Sequence, residues 1–160
     1  MKLHWSLFAL MTVVSWGVYG AFLNKGAVGF EHDRIKAFLF VGVAYFLVAV
    51  LVPLAYIAVR GTGFDFLKHP EGVKWSLIAG TVGAIGALTV LFALSANPEK
   101  GPIAASQVMS LVFAGAPIVA ALYGIYVKMQ TTASMEIKPL FIVGLLLGAA
   151  GGALVTFFKP

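Results

Sequence analysis

Residues 102–126 read PIAASQVMSLVFAGAPIVAALYGIY, an apolar run without a single charge that still carries Ser106, Gln107 and Ser110 near its start and Pro117 in its interior. Its length exceeds the roughly 20 residues that a helix needs to cross the hydrocarbon core of a bilayer. Inside lipid every backbone polar group must be satisfied within the protein, so such a run crosses as a helix. A proline within that helix removes one backbone hydrogen bond and crowds the preceding turn, which makes Pro117 a candidate hinge. Polar side chains and an interrupted ladder are tolerated at this depth only against protein or a water-filled cavity. The run therefore predicts an inward-facing helix of a membrane bundle.

Working outward, four more apolar runs of similar length appear, approximately Leu3–Leu23, Ile35–Val59, Trp75–Leu94 and Pro139–Phe158. The breaks Asn24–Arg34, Arg60–Lys74, Ser95–Gly101 and Lys128–Lys138 hold nearly every charge, and all acidic residues (Glu31, Asp33, Asp65, Glu71, Glu99, Glu136) lie in or beside them. The expectation is an all-α integral membrane protein with five transmembrane helices, forming one membrane domain over residues 1–160. Composition agrees: 61% of the 160 residues are hydrophobic and 11% charged, against about half and about a quarter in soluble domains. The longest break is about 15 residues, which leaves no room for a separate extramembrane domain. Lys2 followed by an apolar run could open a signal peptide, but the run continues to Leu23 without a small-residue cleavage pattern and reads as a retained span.

The net charge of +5 is spread between apolar runs rather than gathered into a stripe, so it speaks for headgroup contacts and topology and against nucleic acid. There is no cysteine, hence no disulfide, thiolate metal site or Cys-linked lipid. Lys2, Arg60, Lys68, Lys74, Lys128 and Lys138 would share one side of the membrane, and Lys25, Arg34, Lys36, Lys100 and Lys159 the other. So even a split gives almost no orientation bias. Either a weak bias still sets one orientation, or copies insert both ways and pair antiparallel.

Gly144, Gly148 and Gly152 recur every fourth residue on the last span, and Gly80 sits in a row of small residues on the third. Small residues at this spacing let another backbone approach closely, either as a dimer seam or as packing within one chain. On the first span Thr12, Ser15, Trp16 and Tyr19 fall at i, i+3, i+4 and i+7 and so share one stripe. Trp5, Trp75, Tyr123 and Tyr126, near span ends, fit the aromatic belt, whereas Trp16 lies too deep. The second span adds Tyr45 and an interior Pro53, a second candidate hinge. Thr12, Ser15, Trp16, Tyr19, Tyr45, Ser106, Gln107 and Ser110 are the candidate substrate-binding residues, with Ala114 and Pro117 continuing the Ser106/Ser110 face. Together they would line a cavity of hydroxyls, an amide and aromatic faces without charge. His4, His32 and His69 lie in breaks or at an end and form no i, i+4 metal pair, and no nucleophile–base grouping or phosphate loop is visible. Neither enzymatic chemistry nor a cofactor or metal is expected.

Trp16-Gly17-Val18-Tyr19-Gly20 leading to Lys25 is similar to the aromatic-Gly start and trailing lysine of the drug/metabolite transporter superfamily, in the branch with the EamA domain. Arg34 before span two, Pro117 late in span four, Glu136 in the following loop and the glycine-rich last span also resemble one EamA repeat, over about Trp5 to Phe157. Members of that family usually hold two such five-helix repeats of opposite orientation, with the substrate site between them, a common transporter design. This chain resembles a half-size member with a single repeat. The resemblance implies an antiparallel homodimer in a bacterial inner (cytoplasmic) membrane but names no substrate; the absence of titratable residues near the span centres leads to the expectation of a neutral or zwitterionic small metabolite. Gln130-Thr131-Thr132 before Glu136 departs from the tight Gly-Glu-Arg-like ending common in the family. The alternative expectation is a non-transporting membrane subunit that scaffolds or stabilises a larger complex.

Overall fold

The structure, a computed structural model, describes residues 5–131 and 136–158. Lys2, Leu3, His4, Thr132 and Lys159, used above, lie outside the described residues. Within them the chain is helical throughout, with five segments long and apolar enough to span a membrane: Trp5–Gly29, Arg34–Arg60, Pro70–Ala96, Gly101–Thr131 and Pro139–Phe157. We call these helices α1 (Trp5–Gly29), α2 (Arg34–Phe46), α3 (Val52–Arg60), α4 (Pro70–Ala96), α5 (Gly101–Thr131) and α6 (Pro139–Phe157). A π-helical turn, Leu47–Leu51, joins α2 to α3 within the second span.

Most helices overrun the apolar runs that announce them. α1 takes in Asn24 and Lys25, α4 starts early enough to include Glu71 and Lys74, and α5 takes in Lys128 and Gln130. The apolar window marks only the part in hydrocarbon; the backbone ladder continues until local chemistry stops it. α1 stops where Glu31 (φ 55°) and His32 (φ 68°) turn left-handed. There the His32 N–H donates to the Ala27 carbonyl (2.8 Å) and the Glu31 N–H to Val28 (3.1 Å), the double closure of a Schellman end. The next helix begins at once, because the Asp33 carboxylate accepts from the Lys36 N–H (3.1 Å) and pairs with its ammonium (3.2 Å). α3 ends on left-handed Gly61 (φ 64°), while α4 and α6 each carry proline in the first turn, where its missing N–H costs nothing.

Pro53 cannot donate to the carbonyl four residues back and would crowd it. The π turn directly before it widens the ladder at that point, so the irregularity takes the form of an inserted turn. α5 runs through Pro117 without a break in helical structure.

The chain divides into two compact units, residues 1–21 with 97–160, and residues 22–96. In the first, the buried stripe Ala104, Ala105, Val108 and Met109 lies along α5. Gly20 of α1 comes so close that a Cβ there would sit 2.6 Å from Met109 Cγ. α5 and α6 meet where Gly152 abuts Ala114. In the second unit Ala87, Val90, Leu91 and Leu94 form an i, i+3, i+4, i+7 stripe on α4, buried together with Leu23, Ala27 and Ala37. Gly26 and Ala37 bring α1 and α2 into contact there, and Phe30 stacks on Phe40 at 5.5 Å.

No span buries more than 22% of its apolar window, and α6 buries none of it. So much outward-facing Leu, Val, Ile and Phe is untenable in water and natural in lipid. The chain is an integral membrane protein.

Candidate functional site

In the first unit α5 divides its faces between α1 and α6. Toward α1, Ser106, Ser110, Ala105 and Met109 face Gly17 and Ala21 across a cavity of about 410 Å³, with Pro102 and Phe113 completing the lining. A second cavity, of about 610 Å³, lies between Thr12, Val13, Trp16 and Gly17 of α1 and Val112, Phe113, Ala116 and Pro117 of α5. Gly17 and Phe113 belong to both, so the two form one groove with a hydroxyl-bearing end and an apolar end. A Cβ at Gly17 would meet nothing within 4 Å, which keeps that wall low. Trp16 and Phe113 stand edge to face across the apolar end, ring centroids 6.5 Å apart at 86°.

The hydroxyls separate into two kinds. Thr12 donates to the Phe8 carbonyl (3.0 Å) and Ser15 to Met11 (2.9 Å). Thr81, Thr89, Ser95, Thr131 and Thr156 likewise bond back onto their own helices. A hydroxyl so engaged asks nothing of its surroundings and tolerates lipid. Ser106 and Ser110 make no hydrogen bond among the described residues and line the cavity. Ser76, near the start of α4, is the other span serine in this state. Leaving a hydroxyl without a partner in apolar surroundings costs about 1–3 kcal/mol. Ser106 and Ser110 thus keep hydrogen-bonding capacity open toward the groove.

Gln107 does something else. Its Oε1 accepts from Asn97 Nδ2 (3.0 Å) and its Nε2 donates to the Thr156 carbonyl (3.2 Å), while Asn97 Oδ1 accepts from the Glu99 N–H (2.9 Å). The side chain ties the start of α5 to the loop before it and to the end of α6, and it does not line the groove. Ala114, expected on the serine face, turns instead to Gly152. Ser15 and Tyr19 are absent from the lining; Tyr19 stacks obliquely on Trp16 at 5.5 Å. Tyr45 belongs to the second unit and is half exposed. Of the candidate substrate residues, the groove thus gathers Thr12, Trp16, Ser106 and Ser110.

Phe113, Gly17 and Met109 are wall residues that the reading of polar side chains passed over. Phe113 was within reach, since Ser106, Ser110, Phe113 and Pro117 follow i, i+4, i+7, i+11. Of the packing glycines, Gly152 touches a neighbour, while a Cβ at Gly80, Gly144 or Gly148 would meet nothing within 4 Å. Gly20, quoted above only within the α1 motif, is where α1 and α5 come into close contact.

The groove lining holds no charged side chain. Among the described residues no cluster of His, Asp and Glu could hold a metal ion. The carboxyl of Asp33, at the aqueous end of α2, lies below its ordinary range, chiefly through the Lys36 backbone N–H and then the Lys36 side chain. Comparison with family models, with curated proteins and with solved structures gave no match to this chain.

Proposed function

We propose that the chain is a small membrane carrier of the drug/metabolite transporter type, moving a neutral or zwitterionic metabolite across a bacterial inner membrane as an antiparallel homodimer. The observation that carries this reading is the uncharged groove between α1 and α5, where Ser106 and Ser110 keep free hydrogen-bonding capacity beside the Trp16–Phe113 wall. Donors and acceptors without charge suit a solute that brings no net charge, because an isolated ion in such surroundings would go unpaired. The near-even distribution of Lys and Arg supports insertion in both orientations.

Uptake or exchange by the purified protein in liposomes tests the proposal across sugars, amino acids and nucleosides. Wild type should transport at least one class, and Ser110→Leu, which fills the groove, should lose it while remaining helical and monodisperse. Inert wild-type vesicles, or equal transport by Ser110→Leu, would overturn it.

The open glycine face of α6, where Gly144 and Gly148 meet nothing, favours a second reading as a subunit of a larger membrane complex. Co-purification separates the two: a foreign partner in fixed ratio to one copy of this chain points to the subunit, and a two-copy particle to the carrier.

A further inference from the structure

The second unit carries a feature unrelated to the groove on α5. Between the end of α3 and the first turns of α4 the chain sets Arg60, Lys68 and Lys74 among Phe64, Phe66, Leu67 and Trp75. The apolar members turn outward, with Leu67 94% and Phe64 56% exposed. Their exposure is held by the backbone, because Gly61 and Gly63 (φ 64° and 80°) set the turn and Phe66–Lys68 closes into a 3₁₀ turn before Pro70. A loop projecting into water would bury such side chains; one lying against a bilayer need not.

Beneath this loop Phe66, Leu67, Pro70, Val73 and Leu77 wall an apolar groove of about 520 Å³, with Lys74 on its rim. The groove runs from two turns inside the span to its aqueous end, the depth at which an acyl chain meets its headgroup. The neighbouring aromatics carry the interfacial signature as well. The Trp75 indole N–H donates to Glu71 Oε2 (3.1 Å), the Lys74 ammonium lies 5.2 Å from the Trp75 ring, and the Arg60 guanidinium lies 4.8 Å from the Tyr56 ring.

Charge selects the headgroup. Arg60, Lys68 and Lys74 outnumber Asp65 and Glu71 in this segment. The pairs Lys68–Asp65 (3.9 Å) and Lys74–Glu71 (3.4 Å) are exposed and loose, and such pairs hold their partners weakly. The Lys74 ammonium donates to both Glu71 oxygens at 3.4 Å, and its third donor can serve a further oxygen. A second cavity shares Phe66, Val73 and Leu77 with this one and is bounded on its far side by Asp65 and His69, which places an anionic headgroup on the Lys74 side.

We propose that the groove beside Lys74 binds an anionic phospholipid, one acyl chain lying along Phe66, Val73 and Leu77 and the headgroup phosphate on Lys74. Site-selective quenching tests this without reference to transport. The chain has three tryptophans, so Trp5→Phe with Trp16→Phe leaves Trp75 as the sole reporter. This protein is reconstituted into vesicles containing equal amounts of phosphatidylglycerol and phosphatidylcholine, with bromine on the acyl chains of one lipid or the other. Brominated phosphatidylglycerol should quench Trp75 as though enriched about fivefold, the preference expected of one cation near the surface. Lys74→Gln should bring the two lipids close to parity, Lys74→Arg should keep the preference, and Glu71→Gln should increase it. Equal quenching by the two lipids in the parent, or a preference unchanged in Lys74→Gln, would overturn the assignment.

Discussion

Gly152→Ala probes how α5 and α6 are held together. A Cβ at Gly152 would fall onto the Ala114 methyl, with the Ala114 Cα and the Ser110 carbonyl oxygen each 3.4 Å away. None of these atoms is the free end of a flexible side chain, so the helices must move apart. Overpacking of this kind costs about 1–3 kcal/mol. Against it stands the gain from replacing glycine inside a helix, at most about 1 kcal/mol. Gly148 lies one turn earlier on the same face, and a Cβ there would meet nothing within 4 Å, so Gly148→Ala carries the backbone gain alone. The difference between the two variants isolates the contact and should be about 1–3 kcal/mol. Titration of the detergent-solubilised protein with SDS, followed by circular dichroism and tryptophan fluorescence, measures it. Adding Ala114→Gly to Gly152→Ala should restore most of the loss, giving a clear coupling energy in the double-mutant cycle. Equal stability of Gly152→Ala and Gly148→Ala, or no coupling to Ala114→Gly, would refute the contact. If Gly148→Ala proves the costlier change, the face that is open in one chain is occupied by another molecule in the particle.

Gln107→Leu keeps the bulk but strands the Asn97 amide and the Thr156 carbonyl, and should cost about 1–3 kcal/mol in the same titration. The Asp33 carboxyl is held below its ordinary value of 3.8 by the Lys36 N–H, so its cap contributes fully above that value and is lost as pH falls through the lower folded-state value. Asp33→Asn, which caps without ionising, should flatten this acid-side dependence; protection of the Lys36 amide in hydrogen exchange reads it, and an unchanged pH profile would count against the assignment. Glu31 is left-handed without being glycine, so Glu31→Gly should stabilise the α1–α2 turn by about 0.5–1 kcal/mol, seen as a later SDS midpoint.

The five spans were legible because a bilayer imposes a length on apolar runs, and the runs here are separated by charge. Their ends were less so. Lys25 and Lys128 look like loop residues by composition, yet each is carried on a helix, since an exposed lysine does not interrupt a backbone ladder. Pro53 announced an irregularity without disclosing that a π turn would absorb it. At the groove, the i, i+4 spacing of Ser106 and Ser110 was readable from their numbers. The fate of Gln107 was not, because its partner carbonyl on Thr156 is 49 positions away and only the meeting of α5 and α6 brings the two together. The glycine repeat on α6 was equally visible at all its positions. Helices that cross touch over a limited length, and nothing in a strict repeat says which member falls at the crossing.

The polar stripe on α1 holds the more general point. Thr12 and Ser15 looked as if they must face protein or water, but their hydroxyls bond to Phe8 and Met11 and leave the helix surface compatible with lipid. Exposed apolar surface on α6 likewise demands no cover in a bilayer, where lipid tails serve as well as leucine. Neither feature by itself requires a partner. Ser106 and Ser110 differ, because their hydroxyls, like that of Ser76 on α4, have no bond within the described chain and sit in a groove whose other walls are mostly apolar. In lipid that arrangement is uphill until something supplies the bond. Water or another hydroxyl-bearing group in the groove would supply that bond at Ser106 and Ser110, whereas a partner docked only on the glycines of α6 would leave both hydroxyls as they are.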